Sequence, residues 1–179
     1  MNPKHPSESI IEMTEMVLPN DTNYLGNLLG GRLMHWIDIA AALAAMKHSG
    51  RVCVTASVDE INFFEPIKLS HVVKLYASIN RAFKTSMEVG VRVHREDPLN
   101  GTSAHTASAY LTFVAIDQYG KPLPVPPIAP QGDAEQRRAA PAGRGQLRPQ
   151  LRRRRRGQSR RRLDRKSTRL NSSHVSESR

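Results

Sequence analysis

One ionisable side chain interrupts an otherwise apolar helical pattern. Between Leu33 and Met46 the only strongly polar residues are His35 and Asp38. A carboxylate in apolar surroundings costs free energy unless it is paired or protonated, so such a group is retained either for structure or for chemistry. The structural alternative is a carboxylate in the early turns of a helix, stabilised by the helix dipole. Asp38 is therefore the first candidate for a catalytic base or nucleophile.

Three other features near Asp38 suggest partners for it. His35 lies three residues earlier, on roughly the same side of the helix, and a His–Asp pair can do acid–base chemistry. Gly30 and Gly31 precede the apolar stretch, where free N–H groups at a helix start can bind a carbonyl oxygen as an oxyanion hole. Asn23 lies in the preceding loop, where functional residues are common. Packing, a tight turn and a turn or cap residue are the respective structural alternatives.

The elements that must position these residues follow from periodicity. A first strand is predicted over Ile10–Leu18, and a helix from Gly30 ends with two cations and a glycine, Lys47, His48 and Gly50. Since this helix has no wide polar face, we expect it to be central and buried. Alternating apolar residues then predict strands over 52–59, 72–80, 86–94 and 105–117, with a turn at 97–101.

These elements predict an α+β fold in which one antiparallel sheet with one apolar face curls around one buried helix. No βαβ repetition suggests a parallel sheet. The proline-rich segment Pro122–Pro130 closes the domain as an extended exit. With 179 residues, the chain suits one domain over residues 1–130 plus a segment that is not core.

Composition limits the other function classes. The single cysteine, Cys53, excludes an internal disulfide and a cysteine-rich zinc site, and a buried, inert thiol is expected there. No ligand spacing predicts a metal, and no cofactor is expected. The sequence has no run of about 18 apolar residues and no basic-then-apolar start, so we expect a cytoplasmic protein without a membrane partner.

The formal net charge of +11 would ordinarily suggest a nucleic-acid partner. Its distribution argues otherwise: residues 1–132 carry 11 Lys and Arg against 12 Asp and Glu, while residues 133–179 carry 16 against 4. This basic tail lacks aromatic residues, so residues 131–179 are predicted to be disordered. A nucleic-acid arm or localisation signal is the functional alternative.

A third interpretation of the tail is that it is not native. Residues 164–179, DRKSTRLNSSHVSESR, resemble the translation of a common sequencing adapter. The stretch 133–163 has the composition of GC-rich DNA read out of frame. Amplifying the gene from source DNA tests this hypothesis, because recovery of the same 3′ sequence contradicts it.

Three motifs in order carry a resemblance to a known family. They are LPNDTNYLGNLLGGRLMHWIDIAAALAA at 18–45, VDEINFFEPIKLSHVV at 58–73 and NRAFKTSMEVGVRV at 80–93. Together they resemble the hotdog-fold acyl-CoA thioesterases, in the group of brain acyl-CoA hydrolase and its short bacterial relatives. The resemblance covers about residues 10–130 and implies a five-stranded antiparallel sheet around the helix. It also implies edge-to-edge dimers, often three to a hexamer, with active sites between subunits.

The resemblance implies a role for each matching residue. Asp38 corresponds to the catalytic carboxylate, Asn23 to a loop asparagine from the other subunit, and Gly31 to the position that polarises the thioester carbonyl. Further matches lie near bound coenzyme A (CoA), with two cations for its phosphates: Asn62, Thr85, Ser86, Lys84 and Arg81.

The function implied is hydrolysis of acyl-CoA to fatty acid and CoA, with CoA as part of the substrate. Two alternatives stay open at the level of sequence. A hotdog hydratase or dehydratase would pair His35 with Asp38, although the match at Asn23 argues against it, and a non-catalytic acyl-CoA sensor would bind without turnover.

Overall fold

The structure is a computed structural model that describes residues 1–130 and residue 136. The chain divides into two units, residues 1–140 and 141–179, and all described residues belong to the first. Apart from residue 136, the interpretations of the tail at 131–179 concern residues outside the described part. No helix of the described residues is long and apolar enough to cross a membrane.

A five-stranded antiparallel sheet forms the framework. Its strands follow the order β1-β3-β4-β5-β2. Their bounds are β1 Ile11–Met16, β2 Val52–Phe63, β3 Val72–Ala82, β4 Ser86–Asp97 and β5 Thr102–Ile116. Every predicted strand is confirmed, although the first is shorter than expected, and two 3₁₀ turns at Pro6–Ser9 and Pro19–Asp21 were not predicted. The two sheet edges are therefore β1 and β2.

One long helix, α1, spans Gly30–Ser49 as the sequence predicts. It ends at Gly50, which adopts a left-handed conformation with φ of 65° and donates its N–H to Met46 O. Glycine adopts this conformation without a steric penalty, so it stops the helix cleanly. Lys47 lies in the last turn, where a cation complements the helix dipole.

The core lies between α1 and one face of β3, β4 and β5. Alternate residues of these strands point at the helix and are at most 2% exposed: Val73, Leu75, Ala77, Ile79, Met87, Val89, Val91, Val93, Ala107, Ala109, Leu111, Phe113 and Ala115. On the helix, Ile37 and four fully buried alanines pack against these residues, and the small alanine side chains allow a close approach to the sheet. The predicted single apolar face is confirmed for these three strands.

The expectation that α1 is central and buried holds for the side that meets the sheet, but not for the opposite side in the single chain. Met34, Ile39 and Leu43 are 44%, 37% and 42% exposed. The sheet covers one side of the helix only, and no described element packs on the other side. Apolar residues there indicate a surface that is available to another molecule.

His48, in the last turn of α1, hydrogen-bonds to the N-terminal segment and to the exit segment. Its ring is fully buried, with Nδ1 3.0 Å from Ser9 Oγ and Nε2 2.9 Å from Pro126 O. The exit segment 122–130 runs without regular secondary structure, as predicted, and Leu123 donates its N–H to Ala115 O. Lys4 adds a hydrogen bond from Nζ to His48 O at 2.8 Å.

Acid is expected to destabilise the fold through His48. Burial lowers the pKa of this imidazole below its ordinary value of 6.5. The unfolded chain therefore binds more protons than the folded chain below about pH 6.5, and stability falls as the pH drops through that range. We expect His48→Gln, which keeps a donor for Pro126 O, to flatten this dependence.

Urea unfolding at pH 8.0 and pH 5.5 measures this effect. The pKa values of His71 and His94 are also lowered by burial, so some acid sensitivity remains in His48→Gln. An identical fall in the unfolding midpoint in wild type and variant would show that His48 does not contribute.

Candidate active site

Asp38 forms a hydrogen-bonded pair with a residue of β2. Thr55 donates from Oγ1 to Asp38 Oδ1 at 2.7 Å, and no described residue in 1–130 hydrogen-bonds Oδ2. The carboxylate is half-buried, because it lies where α1 meets the edge strand. One oxygen is thus held in place while the other is open to a reactant.

Thr55 was not among the candidate residues predicted from the sequence. Alternation in 52–59 suggests that the valines face the core, but Val52 and Val54 are 63% and 43% exposed. Thr55 pairs with the core residue Phe113, so it points toward α1, and a register shift follows between Thr55 and Ser57. The sequence did contain one signal for Thr55. In an alternating strand Thr55 shares a face with Cys53, which was expected to be buried, so a threonine hydroxyl group on the helix-facing side could have been predicted.

Asn23 is held so that it can only donate. Its Oδ1 accepts hydrogen bonds from the backbone N–H of Leu25 at 2.9 Å and of Asn27 at 3.2 Å. The backbone of Asn23 and Asn27 forms a further hydrogen bond that closes the turn. The side chain is exposed, and because both acceptor positions of Oδ1 are taken, its NH₂ group is the part left for another molecule. Two N–H donors are therefore presented at a fixed position.

The start of α1 lies beside Asn23. Both line a cavity of about 410 Å³. Its other lining residues are mostly apolar, among them Leu33, Phe63, Phe64 and Pro66, but they also include Asn27 and Glu65. The N-cap residue Leu29 makes no side-chain cap, so the first N–H groups of the helix are not capped by it. Apart from the chain neighbours and the backbone of α1 itself, no atom of the described residues lies within 4 Å of the position that a Cβ would take at Gly30 or Gly31, so a substrate can approach this backbone closely.

Asp38 does not share this cavity within one chain. It lies eight residues beyond Gly30 on α1, or about 12 Å along the helix axis. Its partner Thr55 lies eight residues before Phe63 on β2, which is roughly 26 Å of extended strand. The structure therefore brings Asn23 to Gly30, and Asp38 to Thr55, but keeps the two groups apart.

The predicted CoA-binding residues also form two groups. Arg81, Lys84, Thr85 and Ser86 lie together at the β3–β4 hairpin, where the Lys84 side chain is exposed and Arg81 Nη1 is 3.9 Å from Glu88 Oε2. Asn62 lies on β2 and donates to Glu60 Oε1 at 2.6 Å. Ser86 pairs with Val114, which pairs with Val54, so Asn62 is eight residues along β2 from the hairpin.

Two other sequence candidates take no part in these groups. His35 is exposed, and its ring has no hydrogen-bond partner among residues 1–130, so it does not pair with Asp38. Cys53 is half-buried rather than fully buried, with Sγ 3.2 Å from Ser49 Oγ, and burial raises the pKa of its thiol. A raised thiol pKa reduces the thiolate fraction and hence the reactivity of Cys53.

An antiparallel sheet of five strands packed on one long helix, with a carboxylate on that helix, defines a hotdog-fold protein. Comparisons with known proteins agree. The profile of the thioesterase superfamily matches residues 25–102. A Bacillus subtilis protein, an uncharacterized acyl-CoA thioester hydrolase, is 41% identical over 128 residues, which are 72% of this chain and 74% of that protein. The chain spans only 20% of mouse acyl-coenzyme A thioesterase 11, at 42% identity over 66% of this chain.

Solved structures give the same result. A hexameric acyl-CoA thioesterase in its apo form matches with a TM-score of 0.75 and 40% identity, over 78% of this chain and 89% of that one. An acyl-CoA hydrolase from Staphylococcus aureus, in complex with butyryl-CoA, CoA and CoA disulfide, matches with a TM-score of 0.72 and 35% identity, over 95% and 99%. The chain belongs to the thioesterase superfamily, in the group of hotdog-fold acyl-CoA thioester hydrolases.

Proposed function

We propose that this chain hydrolyses acyl-CoA to a fatty acid and CoA, at sites that combine Asp38 and Thr55 of one subunit with Asn23 of a partner. The observation that carries this proposal is the position of the two groups. Within one chain they lie at opposite ends of β2, and β2 is an edge strand.

The β2 edge has the properties of an interface. Nine of its twelve residues are exposed, whereas β3, β4 and most of β5 alternate between buried and half-buried residues. Residues 52–58 carry no charge, and three exposed valines lie among them. The other edge, β1, is six residues long and carries Glu12 and Glu15, as protected edges commonly do. A long, uncharged edge favours pairing with a second copy.

Antiparallel pairing of two β2 strands assembles the site. In such a pair the start of one strand lies beside the end of the other, so Asp38 and Thr55 of one subunit approach Asn23 and Gly30 of its partner. The same symmetry brings Asn62 of one subunit toward the β3–β4 hairpin of the other. One two-fold axis therefore brings Asp38 close to Asn23 and Asn62 close to the hairpin, although each pair is separated within a single chain.

The chemistry follows from the geometry of the donors and the carboxylate. The Asn23 amide and the Gly31 N–H, with that of Gly30, would donate hydrogen bonds to the thioester carbonyl oxygen and stabilise the charge that develops on it. As a base, Asp38 would remove a proton from water as the water oxygen bonds to the carbonyl carbon. The C–S bond then breaks, and the CoA sulfur takes the proton from Asp38. Direct attack by Asp38, giving a mixed anhydride that water hydrolyses, is the other route.

Structures of relatives support this choice of residues. The S. aureus hydrolase has solved alanine variants at one asparagine, one aspartate and one threonine; the asparagine precedes the aspartate by 15 positions and the threonine follows it by 17. Asn23, Asp38 and Thr55 have the same spacing. One structure of the S. aureus hydrolase holds butyryl-CoA and CoA, and that of its asparagine variant holds CoA.

CoA binding would use the hairpin and Asn62. The exposed Lys84 ammonium and the Arg81 guanidinium can meet phosphate groups, and the hydroxyl groups of Thr85 and Ser86 can donate hydrogen bonds. CoA is part of the substrate, and the proposal includes no cofactor or metal. A homodimer through β2 is the minimum assembly, and several structural relatives are hexameric. A rat relative is named a cytosolic hydrolase, in line with a cytoplasmic location.

Release of free CoA thiol is the direct test of this function. We would assay the chain with acetyl-CoA, a medium-chain acyl-CoA and a long-chain acyl-CoA at several concentrations. Thiol release that saturates with substrate supports the proposal and reports chain-length preference. Binding of all three substrates without thiol release would contradict it and would indicate a sensor.

The hydrogen bond from Thr55 predicts a separate effect. Thr55→Val keeps the shape of the side chain and removes the donor to Asp38 Oδ1. Because a hydrogen bond to a charged group contributes about 1.5–3 kcal/mol, we expect kcat/KM to fall by roughly tenfold or more. Thr55→Ser keeps the hydroxyl group and should retain most of the activity. Equal rates for wild type and Thr55→Val would show that this hydrogen bond does not serve the reaction.

A further inference from the structure

A buried carboxylate lies at the base of the loop that carries Asn23. We call residues 19–29 the Asn23 loop. Asp21 is 5% exposed, and its two carboxylate oxygens have different partners. Oδ1 accepts a hydrogen bond from Arg32 Nε at 2.8 Å, and Oδ2 accepts one from the Leu18 N–H at 3.1 Å. Of the pair, Asp21 is the buried member, since the Arg32 side chain is 39% exposed.

The Asp21–Arg32 pair joins the loop to the first turn of α1. Arg32 directly follows Gly31 on the helix, and the Leu29 N–H donates to Asp21 O at 2.8 Å, which closes the loop at its base. Asn23 lies two residues beyond Asp21. The Asp21–Arg32 pair therefore lies between the Asn23 amide and the N–H groups at the start of α1, and it helps to determine the distance between them.

The loop is also tied internally. The Asn23 side chain accepts hydrogen bonds from two backbone N–H groups inside the loop, which restrain its shape. On its far side the loop is attached by backbone hydrogen bonds, from Leu28 N to Ile67 O and from Leu69 N to Gly26 O. Among the described residues, Asp21 and Arg32 form the one side-chain ion pair between the loop and α1. A planar guanidinium held by Nε also restricts the direction of approach.

We infer that Asp21 and Arg32 are positioning residues, which hold the Asn23 amide and the N–H groups of Gly30 and Gly31 at the separation required by one carbonyl oxygen. This inference rests on the proposed role of Asn23. The pair touches no substrate and acts through Asn23. Oxyanion donors contribute only when they lie within hydrogen-bond distance of the developing charge, so a shift of about 1 Å is expected to cost up to a hundredfold in rate.

A double-mutant cycle on the full-length oligomer tests this inference. The variants are Arg32→Ala, Asn23→Ala and the two combined, assayed for kcat and KM by thiol release. We expect Arg32→Ala to lower kcat by about tenfold to a hundredfold with KM nearly unchanged. In the Asn23→Ala background the same change should lower kcat by less than about twofold, because the group being positioned is gone.

Two further variants separate positioning from folding. Lys47→Ala removes a cation at the other end of α1, where Nζ binds Ile10 O at 3.0 Å, and should leave kcat unchanged. Arg32→Lys keeps the charge and should recover part of kcat, and it serves as the test if Arg32→Ala does not fold. Thermal unfolding of each variant reports stability independently of kcat.

Each outcome decides between the two claims. If Asn23→Ala lowers kcat but Arg32→Ala does not, or if the two losses multiply, the positioning role is overturned and the proposed function stands. If Asn23→Ala has the kcat of the wild type, the role proposed for Asn23 fails, and the positioning inference fails with it. Coupled losses with KM nearly unchanged support both.

Discussion

Replacing Asp38 by asparagine is expected to lower kcat for acyl-CoA hydrolysis by about 10²–10⁴-fold. Asparagine keeps the size of the side chain and the acceptor for Thr55 Oγ1, so the hydrogen bond at Asp38 can persist. What it removes is the ability to take a proton from water or to attack the carbonyl carbon. The loss should appear in kcat, with KM changed little, because the interactions with CoA lie elsewhere.

A matched carboxylate variant provides the control. Glu12 is exposed on β1, at the opposite edge of the sheet from Asp38, and Glu12→Gln removes the same charge. Both variants should unfold near the wild-type midpoint, since Asp38 is only half-buried. If Asp38→Asn is folded and as active as Glu12→Gln, Asp38 is a structural residue. The sensor or hydratase functions would then need to be considered again.

Mixing two inactive variants is expected to restore activity. Asp38→Asn and Asn23→Ala homodimers each lack one half of every site. In a mixed dimer, the intact Asp38 of one subunit meets the intact Asn23 of the other, and one of the two sites is complete. Random assembly should therefore recover about a quarter of wild-type activity, and an isolated mixed dimer about half, both far above either variant alone.

Subunit exchange must be shown for this experiment to be decisive. Co-expression with two different affinity tags, followed by purification over both, isolates the mixed oligomer. A pair of Asp38→Asn chains that carry the two tags is the negative control. If the mixed oligomer is no more active than the two variants assayed separately, Asp38 and Asn23 do not form a site across subunits.

Much of the fold follows from local sequence patterns. The helix is evident because its apolar run starts after Gly30 and ends in two cations and a glycine, all of which act within a few residues. Strands β3 and β4 are evident because their alternation matches a sheet with one buried face. The family was identified from three ordered motifs, and the comparisons confirm it.

Local patterns were misleading where the burial of a face depends on distant elements. The alternation in 52–59 is clear, yet Val52 and Val54 face away from α1, because pairing with β5 turns Cys53 and Thr55 toward the helix. The helix was expected to be central and buried because it has no wide polar face, but only one side of it meets the sheet. An apolar residue type indicates that burial is favourable. It does not indicate whether the same chain or another molecule covers it.

The sequence by itself determined the order and type of the elements, the family, and the candidate residues Asp38 and Asn23, because each depends on residue types at short spacing. Only the tertiary structure decided that Thr55 holds Asp38, that Asp21 holds Arg32, and that Asn23 and Asp38 lie apart in one chain. These contacts join residues from different elements. They depend on strand order, on the register shift in β2 and on the side of the sheet that α1 covers, none of which a local pattern encodes.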